Sequence, residues 1–277
     1  MPGKISWWPV LAGGVALALV GLGAWAVTGH AGPPPPAAPP APSPQTAPAP
    51  SPTPTGAPEA PATPRPVSHF APLRPPISYA ALGASDTVGM GATDPDTQNW
   101  AAQLAVKLPP GTHFQRFAQN GITLGESLRT QVPAAIASNP DLITVWLVVN
   151  DGLRGVEPAT YRTELHTLLT RLTQETHAAI VLLNVPDMSL ILPAQVTPTT
   201  RLAVQALTEQ WNRVIAQEAA AFSDRVLLVD LYAPSQQAVG RPDWVSPDRF
   251  HPSSAGYAAL ATVVYAAMQQ AGLVAGP

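Results

Sequence analysis

The distribution of proline constrains this chain more than any other feature. The sequence of 277 residues contains 35 prolines, which crowd into residues 32–76, where Ala, Ser and Thr are nearly the only other residue types. Such a segment has too few apolar side chains to form a core. We therefore expect residues 31–76 to be a disordered Pro/Ala-rich linker, with a Pro-x-x-Pro ligand as the alternative. Residues 77–277 remain, enough for one well-buried domain.

The N-terminus carries an uncharged apolar run over residues 7–27. Its length matches the ~20 residues that cross a bilayer as a helix. Lys4 precedes the run and the next basic residue is Arg65, so the positive-inside rule places the rest of the chain outside the cytoplasm. We predict that residues 1–30 form a signal-anchor or transmembrane helix that attaches the domain to a bacterial-type cell envelope. A cleaved signal is the alternative, because Ala24-Trp25-Ala26 resembles a cleavage site.

Charge and cysteine content exclude several classes of function. The formal net charge is -3 and the sequence has no basic run, which argues against a nucleic-acid partner. The sequence contains no cysteine, so disulfides, thiolate nucleophiles and Cys-ligated metals are excluded. Any nucleophilic chemistry must therefore come from other side chains, such as Ser activated by His.

Beyond residue 76, short apolar runs alternate with helical patterns. This order predicts an α/β fold, a three-layer α/β/α sandwich with a five-stranded parallel sheet covered on both faces. Ligands of such sheets bind beyond the carboxyl ends of the strands. The predicted strands are residues 77–82, 113–118, 142–149, 179–185 and 225–231, and the main predicted helices are residues 99–108, 125–137, 160–176, 199–222 and 253–270.

Two segments at predicted strand ends or helix starts suggest a serine nucleophile and its base. Ser85 lies two residues after Gly83, where the first predicted strand ends, although a helix-capping turn would explain this segment equally well. Asp248 precedes His251 by three residues in a loop ahead of the last helix. A serine at neutral pH needs a base, and the base needs an acceptor that fixes its tautomer. Asp248 and His251 supply both.

Two further residues are candidates at the same edge of the sheet. Gly125 is predicted to begin a helix, where unpaired backbone N–H groups can serve an anion, but a plain loop glycine is the alternative. Asn150 follows the third predicted strand and points its amide out of the sheet, unless it is a buried, capped side chain. Asp151 and Gly152 read as a structural turn.

Taken together, these segments resemble the four sequence blocks of the SGNH (GDSL-like) hydrolases. Ser85, Gly125, Asn150 and His251, with Asp248, match the Ser, Gly, Asn and Asp-x-x-His of that family in order and spacing over about residues 77–271. The Asn-Asp-Gly-Leu-Arg-Gly run from Asn150 resembles the bacterial thioesterase/lysophospholipase members. The chain departs from the family at Gly83-Ala84-Ser85-Asp86, where Gly-Asp-Ser-Leu is usual, and at Val148, where a glycine is usual.

The resemblance implies a flavodoxin-like SGNH fold and a serine esterase, lipase or thioesterase that needs no metal or organic cofactor. Ser85 would be the nucleophile, His251 the base and Asp248 its partner. Oxyanion donors would be the N–H groups of Ser85 and Gly125 and the amide of Asn150. The expected substrates are esters of small molecules, lipids or glycans. An acyltransferase with the same triad and a non-catalytic glycan-binding module are the alternatives.

The sequence indicates the substrate pocket only weakly. Residues 186–198 form a long loop after the fourth predicted strand and carry Met188 and Leu190, and Trp244 precedes the Asp248 segment. We predict that these three side chains line the substrate site. The alternative is that the residues of the loop simply cap the sheet.

Overall fold

The computed structural model describes residues 70–275, which contain a single sheet of five parallel strands. The strands are β1 (Ser78–Gly83), β2 (His113–Ala118), β3 (Leu142–Trp146), β4 (Ala179–Leu183) and β5 (Val226–Val229). The sheet order is β2-β1-β3-β4-β5, and every neighbouring pair is parallel. This confirms the predicted α/β class and the five-stranded parallel sheet.

Nine α-helices and short 3₁₀ turns connect these strands within residues 70–275. The helices are α1 (Ser85–Val88), α2 (Pro95–Gln98), α3 (Trp100–Lys107), α4 (Leu124–Ala137), α5 (Val149–Leu153), α6 (Pro158–Glu175), α7 (Pro198–Ala221), α8 (Tyr232–Ser235) and α9 (Ser254–Gln270). One layer contains α3 packed against α9, and the other contains α4, α6 and α7 packed in a row. The five long helices agree with prediction to within two residues at each end.

Local sequence explains where the long helices begin. Asn99 caps α3 by accepting a hydrogen bond from the Ala102 N–H. Thr123 and Glu126 form a reciprocal capping box at the start of α4, so that helix begins at Leu124 rather than at Gly125. Ser253 caps α9.

The third strand is shorter than its apolar run suggested. Its last paired residue is Trp146, because β1 ends at Gly83 and β4 ends at Leu183, which leaves the next residues without neighbours in the sheet. The chain turns instead into α5, and the Val148 carbonyl accepts hydrogen bonds from the N–H groups of the third and fourth residues of that turn. Asn150 therefore lies in a helical turn and not directly at a strand end.

The domain's contacts begin before residue 77. Phe70 and Leu73 pack against the core, and the Leu73 N–H donates to the Leu273 carbonyl at 2.8 Å. The last residues assigned to the linker are thus part of the domain's surface. The predicted anchor at residues 1–30 lies outside the described residues. Within residues 70–275, no helix has the length and apolar character needed to span a bilayer.

Candidate active site

Ser85 begins α1 in a tight turn directly after β1. Gly83 makes this turn feasible, because a β-carbon at that position would overlap the Thr87 side chain. Thr87 is itself fixed in the core, where its hydroxyl accepts a hydrogen bond from the Trp100 indole N–H at 3.1 Å. The turn ends at Gly89, which has φ 99° and donates its N–H to the Ser85 carbonyl. The serine hydroxyl is therefore held at the carboxyl edge of the sheet.

Asp248 and His251 come from a closed loop between β5 and α9. The Ser246 N–H donates to the His251 carbonyl at 2.9 Å, and an antiparallel bridge pairs Val245 with Pro252. Inside the loop, Arg249 has φ 59°, a left-handed conformation that allows the reversal between the two functional residues. The loop thus fixes the orientation of both side chains.

Contacts between α9 and the segment after Ser85 bring this loop to the nucleophile. The Tyr257 hydroxyl donates to the Met90 carbonyl at 2.7 Å, and the Thr93 N–H donates to the Ser254 hydroxyl at 2.9 Å. Gly91 lies so close to the loop that a β-carbon there would be 2.6 Å from the Pro252 carbonyl oxygen.

The three predicted residues meet in a continuous hydrogen-bonded chain. His251 Nε2 lies 2.9 Å from Ser85 Oγ, and His251 Nδ1 lies 2.7 Å from Asp248 Oδ2. The imidazole is mostly buried, with 14% of its side chain exposed, and the Phe250 ring packs edge-on against it. This is the geometry that general-base activation of a serine requires.

The environment of Asp248 keeps its carboxylate ionised. Burial alone would raise the pKa, but hydrogen bonds from His251, the Ser246 hydroxyl and the Phe250 N–H outweigh it and lower the pKa from 3.8 to about 2. Oδ1 accepts the hydrogen bonds from Ser246 and from backbone N–H groups, which leaves Oδ2 for the imidazole. A negative carboxylate fixed in this way favours the tautomer with the proton on Nδ1.

Asn150 lies at the same site, and one of its amide hydrogens already has a partner. Its Nδ2 donates to the Ile122 carbonyl at 3.0 Å, which ties α5 to the loop before α4. An amide nitrogen carries two hydrogens, so a second donor remains. Asn150 and Ser85 line the same small cavity, together with Asp86, Trp146 and Phe250.

Gly125 does not face this cavity in the structure. Its N–H donates to the Glu164 carboxylate of α6, and a β-carbon on Gly125 would overlap that carboxyl group. The preceding N–H, of Leu124, is bound by both oxygens of Asp151 at 3.1 Å. The predicted oxyanion role of Gly125 therefore needs correction, because α6 and α5 occupy these donors at the start of α4.

Asp151 has a structural role, as its Asp-Gly context predicted, but its partner lies far away in the sequence. It is fully buried and caps α4 through Leu124. Burial is the main cause that raises its pKa from 3.8 to about 7, and the hydrogen bond from Leu124 only partly opposes it. The sequence showed the turn but not the partner, because nothing in the local pattern points to a helix 27 residues earlier.

A large cavity of about 580 Å³ lies beside His251. Met188, Leu190 and Trp244, the three predicted substrate residues, all line it. Its walls are mainly apolar and come from the loop after β4, the segment after β5 and one face of α9. The sequence did not indicate the contribution of α9, which includes Ala259, Leu260 and Val263, because small and apolar residues occur all around that helix.

Asp86 is a site residue to which the sequence assigned no role. It lines both the large cavity and the small cavity that holds Ser85. Burial raises the pKa of its carboxyl group, and the charge of His251 opposes this rise. The sequence signal that could have identified it is the charged residue at the position where the GDSL pattern has leucine.

Comparison with known proteins identifies the family of this chain. Residues 81–259 match the GDSL-like lipase/acylhydrolase family, and the chain belongs to that family. The protein is accordingly a carboxylic ester hydrolase of the SGNH/GDSL serine-esterase type. A search of curated proteins found no match.

Solved structures with the same fold include lipases and esterases. The chain is similar to TesA at 25% sequence identity and a TM-score of 0.55, covering 70% of this chain and 99% of that one. A phospholipase A1 from Streptomyces albidoflavus shares 19% identity and a TM-score of 0.56, covering 69% of this chain and 98% of its own. An acetylxylan esterase from Geobacillus stearothermophilus shares 18% identity and a TM-score of 0.55, covering 73% and 98%. At these lower identities the likeness concerns the fold alone.

Proposed function

We propose that this protein hydrolyses carboxylic esters through an acyl-enzyme on Ser85, with His251 as general base and Asp248 as its partner. The observation that carries the proposal is the position of the His251 ring, which lies 2.9 Å from the serine hydroxyl and 2.7 Å from the carboxylate. A pair of hydrogen bonds to the two ring nitrogens is what proton transfer from serine needs.

The proposed reaction has two steps. His251 Nε2 takes the proton of the Ser85 hydroxyl while Oγ forms a bond to the ester carbonyl carbon, and Asp248 stabilises the resulting imidazolium. The imidazolium then gives its proton to the alkoxy oxygen, which leaves as the alcohol. In the second step water, deprotonated by His251, attacks the acyl carbon, and the acid and the free Ser85 hydroxyl result.

The developing oxyanion needs hydrogen-bond donors near Ser85. We assign this role to the Ser85 N–H and to the second amide hydrogen of Asn150. In place of Gly125, we assign the third donor to Gly121, which has φ 73°. Its loop lies between the two other donors, because the Gln119 N–H donates to the Gly83 carbonyl and the Ile122 carbonyl accepts from Asn150.

The volume and the apolar walls of the large cavity favour esters with an apolar chain. Its volume of about 580 Å³ lies in the usual range for small-molecule sites, and Met188, Leu190 and Trp244 give it apolar walls. We assign the acyl chain of the substrate to the apolar part of this cavity that Met188 and Leu190 line, which leaves the part beside His251 for the alcohol. An acetyl group would leave most of it empty, so the proposed substrates carry longer acyl chains.

The proposed place of action is outside the cytoplasm. This part of the proposal rests on the apolar run of residues 7–27 and the charge pattern around it. Fusion of a topology reporter after residue 69 tests it. Reporter activity on the cytoplasmic side would refute the location and leave the catalytic assignment unaffected.

Hydrolysis of p-nitrophenyl acetate, butyrate and octanoate by the full chain in mild detergent tests the function, beside Ser85→Ala. We expect turnover that increases from acetate to octanoate and is lost in the variant. Turnover that persists in Ser85→Ala would refute the nucleophile. Absence of turnover in a folded wild-type protein would favour acyl transfer or glycan binding, and acetylated glycans would then be tried as acceptors and ligands.

A further inference from the structure

Asp86 lines two cavities at once. It directly follows the proposed nucleophile and is partly buried. One cavity contains Ser85 and Asn150, and the other contains His251 and the apolar walls. A substrate whose carbonyl carbon lies at Ser85 and whose remainder extends into the large cavity therefore passes next to Asp86.

Three polar side chains that share the large cavity with Asp86 already have hydrogen-bond partners within the protein. Asp187 accepts hydrogen bonds from the Ser189 N–H and from the Gln236 amide, and the Ser235 hydroxyl donates to the Tyr232 carbonyl. Both ring nitrogens of His251 are occupied within the triad. These groups are therefore poor candidates for recognising a polar part of the substrate.

The Asp86 carboxyl group, in contrast, keeps acceptor capacity. Within residues 70–275 it accepts a hydrogen bond from its own backbone N–H, and a carboxylate has about four acceptor positions. Its titratable neighbours are His251 and Asp248, and its charge adds to the burial that raises the pKa of Tyr257 on α9. Burial raises the pKa of Asp86 itself, which indicates that its charge is poorly solvated there. A hydrogen-bond donor on the substrate would offset this cost.

The triad does not need this carboxyl group. Asp248 already orients His251 and keeps its own charge through several hydrogen bonds. A leucine-sized apolar side chain would match the walls of the cavity at a lower desolvation cost. A carboxyl group at this position is thus best explained by a contact with the substrate.

The chemistry of the reaction indicates which part of the substrate that is. His251 must protonate the leaving alkoxy oxygen, so the alcohol part of the ester lies against the imidazole. Asp86 and His251 line the same cavity and interact electrostatically. We propose that Asp86 is a specificity-determining residue, which accepts a hydrogen bond from a hydroxyl group carried by the alcohol part of the ester close to the scissile bond.

This inference rests on the proposed function and narrows its substrate class to esters of polyols, in which a free hydroxyl lies next to the esterified one. Esters of simple alkanols lack that donor. In a complex with such an ester, the Asp86 carboxyl group stays poorly solvated, which costs free energy. A cost of this kind lets an enzyme discriminate strongly against a substrate analogue that lacks the hydroxyl group.

A matched pair of substrates tests the inference in the full-length protein. 2-Hydroxyethyl butyrate and propyl butyrate differ only by a hydroxyl in place of a methyl group. The readout is the ratio of their kcat/KM values, in which general effects on the triad cancel. We expect this ratio to fall roughly 10- to 100-fold in Asp86→Leu and in Asp86→Ala, because a hydrogen bond to a charged group is lost. Asp86→Asn keeps an acceptor oxygen but loses the charge, so we expect its ratio to lie between those of the wild type and Asp86→Leu.

Gln237→Leu is the control, because it removes a polar side chain from the wall of the same cavity. We expect it to leave the ratio unchanged. A ratio unchanged in Asp86→Leu and Asp86→Ala, or one that falls in Gln237→Leu instead, would overturn the role of Asp86. In either case, hydrolysis of both esters that is abolished by Ser85→Ala would show that the proposed function stands. Hydrolysis of neither ester would remove the basis of both proposals.

Discussion

Ser85 and His251 are 166 positions apart in the sequence, and their side chains meet at 2.9 Å between Oγ and Nε2. Neither local turn could form this contact alone. It depends on α9, whose Tyr257 hydroxyl binds the Met90 carbonyl and thereby joins the two halves of the site. The active-site geometry thus depends on the packing of α9 against the segment that follows Ser85.

Removal of the Asp248 carboxylate should impair catalysis without unfolding the protein. We expect Asp248→Asn to lower kcat about 10⁴-fold, because the imidazole loses the acceptor that fixes its tautomer and stabilises its charge. Steady-state hydrolysis of p-nitrophenyl butyrate measures this effect, and Asp243→Asn in the nearby exposed ion pair with Arg241 is the control. A loss below tenfold would show that Asp248 is not the partner of the base.

The amide of Asn150 should act mainly in the transition state. We expect Asn150→Ala to lower kcat by about 10²–10³-fold, since one oxyanion donor is removed, and to change KM far less. Part of the loss will come from the bond to the Ile122 carbonyl, which holds the α5 turn. A variant in which KM alone rises would refute the oxyanion assignment.

Substitution by alanine at two glycines of one segment should have different effects on stability and on kcat. Gly125→Ala forces the flexible end of Glu164 to move, so we expect a loss of about 1 kcal/mol in the free energy of unfolding and little change in kcat. Gly121→Ala puts a β-carbon on a left-handed residue beside the proposed oxyanion, and we expect kcat to fall roughly tenfold or more. Denaturant titration measures the free energy of unfolding of both variants, and steady-state kinetics measures kcat. A large loss of kcat in Gly125→Ala and little change in Gly121→Ala would restore Gly125 as the donor.

The buried carboxyl group of Asp151 should make stability depend on pH. Its pKa is raised from 3.8 to about 7, so the folded protein holds a proton that the unfolded chain releases. The resulting stabilisation is complete below pH 3.8 and is lost as the pH rises to about 7. From this residue we expect the free energy of unfolding to fall by up to about 1.4 kcal/mol per pH unit across that window.

Chemical denaturation across that pH range, for the wild type and Asp151→Asn, checks this expectation. The variant cannot titrate at this position and should show a flatter profile. Asp96→Asn, at an exposed ion pair with Arg116, should retain the wild-type slope. Identical profiles for the wild type and Asp151→Asn would show that other groups cause the dependence.

The large cavity should set the preferred acyl length. Leu190→Trp adds bulk to its wall, and we expect octanoate hydrolysis to fall at least tenfold while acetate hydrolysis changes little. The matched control is Leu202→Trp, because Leu202 lies exposed on α7 and does not line the cavity. An equal effect on all chain lengths would place the acyl chain elsewhere.

The sequence predicted the architecture well because the apolar runs and the helix caps are local signals. Ser85, Asp248 and His251 were likewise visible as short patterns at element boundaries. The direction of the Gly125 N–H was not predictable, because it depends on Glu164 in a helix almost 40 residues later. The end of β3 was also missed, since strand length depends on where the neighbouring strands stop.

The hydrogen bond between Leu73 and Leu273 joins the two ends of the domain near the start of β1. Ser85 follows the other end of that strand, and six residues of strand separate the two points by about 20 Å. A tether made by the preceding residues would thus attach to the domain on the side opposite the active site. Any group attached through the chain that precedes Phe70 would thus leave the entrance to the active-site cleft open.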